Sequence, residues 1–373
     1  MKTKRNDPTV KSRLRGVALF VACTMSFLPT AQACTGITLK AADGNVVRAR
    51  TMEFNVDLKS AVSMIPRAQE RTGTTPDGKP GLTWKVKYAS VGVSPMGLPY
   101  LVDGLNEKGL SMGLFYFDQS AEYQPYVPAD AARTLASWEL GSYILDSFAT
   151  VDEVRKGLND VVVAPVKFDK FNMVLPVHFV VTDTSGKSIV IEYVKGKLNI
   201  HDDEIGVITN NPPFDWHMTN LQNYVNLNLH NSSAQQLGGV SIAGLGQGTG
   251  LLGMPGDFTS PSRFVRAAIF AHGVTPSTDA DHATFQAFHI LNNFDIPKGV
   301  AREGEKDEAG NINADYTQWT SANDLTARRF YFRTYEDSSI RVIDLTKQNL
   351  DAHEILSWPM GQREAAIELG APS

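Results

Sequence analysis

Residues 28–40 read LPTAQACTGITLK, and the join between Ala33 and Cys34 constrains this chain more than any other position. Ahead of it stands a three-part leader. It has a basic start (Lys2, Lys4, Arg5, Lys11, Arg13, Arg15), an apolar run from Gly16 to Leu28, and the small-residue pattern Ala31-Gln32-Ala33. That is the layout of a secretory signal cleaved after Ala33, with an apolar run too short to stay in a bilayer. Cleavage removes Cys23 with the leader, so the expected mature chain, residues 34–373, keeps one cysteine, at its first position. No internal disulfide can then staple the fold, and stability has to come from a buried apolar core.

Three readings of Cys34 follow. As a small hydrophobe it would be buried, although a terminal residue is seldom held deep in a core. As a lipid anchor it would want Leu three residues upstream, where this chain has Ala31. The protein would then be a non-catalytic envelope lipoprotein or binding protein. As a nucleophile it gains most from its place. Cleavage frees an α-amine titrating at about 7.7–8.0 beside a thiol at about 8.5. One residue then carries both the attacking atom and its general base. Before cleavage that nitrogen is an amide, so the leader doubles as an inactivating segment. The eight histidines are scattered, with no metal-spaced pair such as H-E-x-x-H, and no metal or other cofactor is expected. His217, beside Trp216, reads as structural rather than as a base.

Without residues 1–33 the formal charge moves from −5 to −10. An acidic chain with no basic run is a poor partner for nucleic acid or an anionic membrane. No second apolar run of about 18 residues follows the leader, so stable membrane insertion is not expected. The product is an exported protein, periplasmic in a Gram-negative cell.

The pattern along the remainder is strands, helices, strands, helices, strands. Residues 34–54 read as a hairpin turning at Asp43-Gly44, a register that sets Cys34 opposite Glu53. Residues 57–85 read as loop-rich. Residues 86–118 read as strands turning at 106–109, and a helical block covers 130–149, with a further helix capped by Thr150. Strands return over 178–209, where the run Asp202-Asp203-Glu204 reads as a solvated turn. Helices are expected over 216–230, from Ser260-Pro261 with Arg263 in the first turn, and over 281–294. Strands around 316–324, 328–336 and 340–345 close the chain.

Two glycine-rich segments mimic nucleotide loops and fail the test. GTTPDGKPG has Pro80 where a phosphate-binding loop needs Ser or Thr, and Gly248, Gly250 and Gly253 run into Met254-Pro255 rather than opening a helix. With no linker or repeat in view, residues 34–373 read as one domain, an α+β fold of two packed antiparallel sheets with helices outside.

Seven ordered segments, CTGITL, RTMEF, DGLNEKGLSMGLFYF, TNNPPFDWHMTNLQNY, GMPGDFTSPSRFVRAA, IPKGVAR and DYTQWTSANDL, resemble the choloylglycine hydrolases, the family of bile salt hydrolases and penicillin V acylases. The resemblance implies the four-layer αββα sandwich of N-terminal-nucleophile hydrolases, hydrolysis of a small-molecule linear amide, and a homotetramer. It implies Cys34 as nucleophile, Arg50 beside it, Asn210 and the Tyr116 N–H as oxyanion donors, and Arg263 as a second arginine. Where the family usually carries aspartate, this chain has Glu53, placed with Arg263 to orient the amine. A bend between 50 and 53 would be needed to bring Arg50 to the Cys34 face. Tyr116 resembles penicillin V acylases, since bile salt hydrolases commonly carry asparagine there. The expected activity is therefore penicillin V acylase-like, N-acyl homoserine lactones included, with conjugated bile salts as the alternative.

Overall fold

In the computed structural model, residues 33–304, 306, 310, 312–361 and 368 are described. The leader expected over 1–33 lies outside them but for Ala33. The first hairpin pairs β1 (Cys34–Lys40) with β2 (Val46–Phe54), antiparallel. Its register sets Cys34 opposite Met52, one residue away from the expected pairing with Glu53. The reason is the turn. Asp43-Gly44 lies in a loop running from Ala41 to Asn45, closed by the Ala41 N–H donating to the Asn45 carbonyl at 2.9 Å and the Gly44 N–H to the Ala41 carbonyl at 3.0 Å.

This hairpin lies in a sheet with the short strand Val207–Ile208 on one side and Ala314–Asp324, Arg329–Thr334 and Arg341–Asp344 on the other; Ala301–Arg302 pairs with Ala314–Asp324. A second antiparallel sheet runs, in spatial order, Lys197–Asp202, Ser188–Val194, Val177–Thr182, Ser111–Tyr116, Asp103–Asn106, Ser90–Ser94, Ala61–Ile65 and Leu356–Pro359. Helices α1 (Leu140–Ser147) and α2 (Val151–Gly157) cover the outer face of the second sheet. Helix α3 (Phe214–Leu221) packs beside α4 (Ser260–Gly273), which with α5 (Ala280–Leu291) covers the first sheet. The order helix, sheet, sheet, helix is the four-layer sandwich expected.

Two apolar clusters follow from this layering. One fills the space between the sheets and beneath α4 and α5, with Ile37, Val47, Phe115, Phe264, Phe288 and Phe330 at its centre. The other seals α1 and α2 onto the second sheet through Leu140, Ile144, Val154, Phe179 and Ile191. Burying each such side chain contributes about 1.5–3 kcal/mol, which lets the fold stand without a disulfide. The sheets approach closely at Gly36, where an added Cβ would lie 2.8 Å from both Phe115 and Ile208.

Several local expectations change. Residues 57–85 hold Ala61–Ile65 and the hairpin Glu70–Thr74/Pro80–Lys85 rather than loop alone. Helix 130–149 contracts to α1, because Pro128–Arg133 and Ser137–Glu139 are 3-10 turns flanking the strand Thr134–Ala136. The helix expected over 216–230 starts earlier and ends at Leu221. Asp203 is buried rather than solvated. It accepts from the Val207 N–H at 3.1 Å and Ser188 Oγ at 3.2 Å, and burial pushes its carboxyl up to about 7. Thr150 caps α2 as expected, accepting from the Glu153 N–H.

Candidate active site

The one-residue register change decides how the site is built. Alternation along β2 points Arg48, Arg50 and Met52 into the space between the sheets and Val47, Ala49 and Thr51 toward the helices. Cys34, opposite Met52, shares the face of Arg50, so no bend is needed to unite them. A bulge does occur one step later, between Met52 and Glu53 in the ladder with Ala314–Asp324.

Cys34 is 2% exposed, and its Sγ lies 3.0 Å from Arg50 Nη2 and 3.9 Å from Met52 Sδ. Burial pushes its thiol up, opposed chiefly by Arg50. The Arg50 guanidinium sits 4.1 Å over the Phe115 ring and 5.4 Å from Trp319. Its other donors go to main-chain carbonyls of Thr51, Leu114 and Val102. Among the described residues no carboxylate accepts from it.

On the opposite face, Arg263, in the first turn of α4, donates to the Cys34 carbonyl, to Thr35 Oγ1 at 3.0 Å and to Asn210 Oδ1 at 2.6 Å. Asn210 Oδ1 also accepts the Cys34 N–H at 2.8 Å, and Asn210 Nδ2 donates to the Tyr116 carbonyl at 2.8 Å. Ala33 still precedes Cys34 here, so that N–H is a peptide group. Nδ2 has two hydrogens, and the second is uncommitted. The Glu53 carboxylate accepts from Thr317 Oγ1 at 2.7 Å and Thr51 Oγ1 at 3.0 Å, and burial, opposed by Arg263, pushes it up to about 8. The Cys34 nitrogen and the Glu53 carboxylate thus have separate partners in the uncleaved chain.

Tyr116 ends the strand Ser111–Tyr116. The Phe117 N–H donates to the Pro176 carbonyl and the Val177 N–H to Tyr123 Oη, so Tyr116 and Val177 form a non-hydrogen-bonded pair. The Tyr116 N–H and C=O therefore turn away from Val177, toward Asn210. All six sequence-derived residues meet within this one region, Arg50 on the thiol side and Glu53 with Arg263 behind it.

A narrow cavity of about 90 Å³ opens onto Cys34. Its wall is almost wholly apolar, with Phe54, Met96, Trp138, Phe168 and Phe171 among the lining residues. Among the described residues no cluster of His, Cys, Asp or Glu suits a metal ion, and no helix is long and apolar enough to cross a membrane.

Sequence reasoning missed Arg48, His178 and the use made of His217. Arg48 pairs with buried Asp103 at 2.5 Å, and Gly113 is glycine because a Cβ there would overlap Arg48 Nη2. The R-A-R alternation was the available signal, but it reads equally as a solvent face. His217 is structural, as expected, and buried; it binds the Asn210 carbonyl.

Residues 34–358 match the family described as linear amide C–N hydrolases, choloylglycine hydrolase family. A bile salt hydrolase/transferase of Clostridium perfringens is 34% identical over 325 residues, covering 87% of this chain and 96% of that protein. A penicillin V acylase of Pectobacterium atrosepticum is 28% identical over 345 residues, covering 87% and 81%. The solved conjugated bile acid hydrolase of Clostridium perfringens superposes with a TM-score of 0.79 at 32% identity, covering 90% of this chain and all of that one. The chain belongs to the choloylglycine hydrolase family and is a hydrolase of linear amide C–N bonds.

Proposed function

We propose that removal of residues 1–33 frees the Cys34 amine, and that the mature protein is an exported single-domain amidase with Cys34 as nucleophile. The amine takes the thiol proton, directly or through one water, and the thiolate attacks the acyl carbonyl. The second Nδ2 hydrogen of Asn210 and the Tyr116 N–H hold the oxyanion, each worth about 2.7–4 kcal/mol in the transition state. Glu53 and Arg263 orient the amine. It then protonates the leaving nitrogen, and water hydrolyses the thioester. The observation carrying this reading is Cys34 Sγ, 3.0 Å from a guanidinium without a carboxylate partner, at the wall of an apolar cavity. The same burial argues against a lipid on sulfur.

The acyl group is aromatic or long-chain aliphatic, as in penicillin V or an N-acyl homoserine lactone. Tyr116 and the rings of Phe54, Phe168 and Phe171 support this choice. Conjugated bile salts are the second reading, favoured by the higher identity to bile salt hydrolases. Comparing kcat/KM for penicillin V, a long-chain acyl homoserine lactone and glycocholate separates the two, and dominant glycocholate turnover overturns the first. Intact mass should begin at unmodified Cys34, and Cys34→Ala should fold without turnover. The homotetramer is carried forward as a proposal for light scattering. The exposed hairpin around Leu237 and Val240, with Leu245 beyond it, offers an apolar surface for it.

A further inference from the structure

Asn210 lies on the connection between the strand Val207–Ile208 and α3, and two histidines with different surroundings fix it there. His178, on the strand Val177–Thr182, has Nε2 3.1 Å from the Thr209 carbonyl oxygen and Nδ1 3.1 Å from Glu192 Oε1. A carbonyl can only accept. Glu192 faces His178 with Oε1, and its Oε2 lies 3.6 Å from His201 Nε2; burial raises its carboxyl, but the two histidines bring it down to about 2. Its Oε1 also takes the Phe214 N–H at 3.0 Å. With an oxygen on each side, both ring nitrogens of His178 are placed to donate.

His217 is the contrast. Its Nε2 donates to the Asn210 carbonyl at 3.0 Å, its Nδ1 has no partner, and burial pushes the ring down to about 4, leaving it neutral. Ser260 Oγ accepts the Asn210 N–H at 2.9 Å. Two successive carbonyls and one N–H around Asn210 are thus pinned from three elements.

From this we infer that His178, held as an imidazolium by Glu192, is a positioning residue for Asn210. Its charged Nε2–H anchors the Thr209 carbonyl and so sets the direction of the Asn210 Nδ2 hydrogens. The inference rests on the oxyanion role given to Asn210 above. The cation is 2% exposed and stacked flat on Phe117, ring centroids 4.2 Å apart, with the edge of Phe115 at 6.2 Å. Charge-assisted donors are roughly twice as strong as neutral ones, which suits an anchor that must not yield as charge develops on the substrate. The ionisable groups around it are Glu192, His201 (3.6 Å from Glu192 Oε2) and His217, with Arg263 beyond the loop.

The test is a mutant cycle in correctly processed enzyme, with ring nitrogens read by ¹⁵N NMR near neutral pH. His178→Phe keeps the stack and removes both donors. It should lower kcat by about 10- to 100-fold, the scale of misplacing a reacting group by about 1 Å, with KM nearly unchanged. In an Asn210→Ala background the same change should cost less than about threefold, because the group it positions is gone. Glu192→Gln should leave one ring N–H on His178 where the wild type has two, with a several-fold fall in kcat. Equal losses from His178→Phe in both backgrounds, or a single ring N–H in the wild type, overturn the inference. A fully active Asn210→Ala enzyme overturns the Asn210 assignment and the positioning role with it. Should His178→Phe fail to fold, Glu192→Gln decides, and unchanged kcat there counts against the inference.

Discussion

Arg50→Gln tests the electrostatics of the nucleophile most directly. Its Nη2 lies 3.0 Å from Cys34 Sγ, in a region closed by Phe115 and Trp319. Two unit charges about 4 Å apart interact by about 4 kcal/mol at an effective dielectric constant of about 20, an upper bound here. Hydrogen bonds to charged groups are worth about 1.5–3 kcal/mol net. About 2–3 kcal/mol is the thiolate stabilisation lost, which pushes the thiol further up. Burial has already pushed this thiol up and Arg50 is its chief opposing influence, with the Glu53 main chain and Arg263 opposing it less. At a fixed neutral pH the reactive thiolate should fall about 30- to 150-fold. The assay is the rate of iodoacetamide alkylation against pH, beside kcat/KM. The expected result is a profile displaced to higher pH, with activity partly recovered under alkaline conditions. Arg50→Lys, which keeps the charge, should lie between wild type and Gln. An alkylation profile identical to wild type in a folded Arg50→Gln protein would refute the reasoning.

Two further outcomes follow from buried charge. Glu53, pushed up to about 8 by burial, holds its proton more tightly in the folded chain than in the unfolded one, where it titrates at about 4.3. Its contribution is therefore full below about pH 4.3 and lost as pH rises toward 8. The stability difference between Glu53→Gln and wild type, followed by chemical denaturation, should move in favour of Gln across that window; a flat difference removes the claim. Asp103→Ala should destabilise by about 3–5 kcal/mol, because Arg48, 1% exposed, would keep its charge between the sheets without its ion-pair partner. A melting temperature within a degree or two of wild type would show that water or another acceptor replaces Asp103.

Elements with period-two apolar alternation or clear caps were legible in the chain itself. The strands 177–182, 188–194 and 329–334 and the Thr150 cap fell where side-chain pattern alone puts them. Harder were features set by contacts distant in sequence. Pairing Cys34 with Met52 depends on a loop closed by Ala41 and Asn45, which Asp43-Gly44 does not announce. The short strand Thr134–Ala136 sits inside a helix-forming run because it pairs with Val162–Ala164. The candidate residues were legible as motif positions. Their partition between two faces was not, because V-R-A-R-T-M alternates like a half-solvated strand while both of its faces are covered.

That covered alternation explains why two arginines, rather than one, enter the space between the sheets. A single buried cation beside the thiol would need a counter-ion, and any carboxylate close enough to provide it would also repel the thiolate. Here Asp103 is engaged by Arg48, Ser321 Oγ at 2.7 Å and Asn323 Nδ2 at 3.4 Å, two residues along β2 from Arg50. Arg50 meets only carbonyl oxygens, aromatic faces and sulfur. Across the sheet the Glu53 carboxyl, raised toward neutrality by burial, adds little negative charge beside Arg263. The thiol therefore faces Arg50 with little negative charge beside it, while Asp103 is held by Arg48, two residues along β2, and the Glu53 carboxyl is raised toward its neutral form. Arg48, which touches no substrate in this reading, engages Asp103 and so leaves the Arg50 guanidinium facing the sulfur.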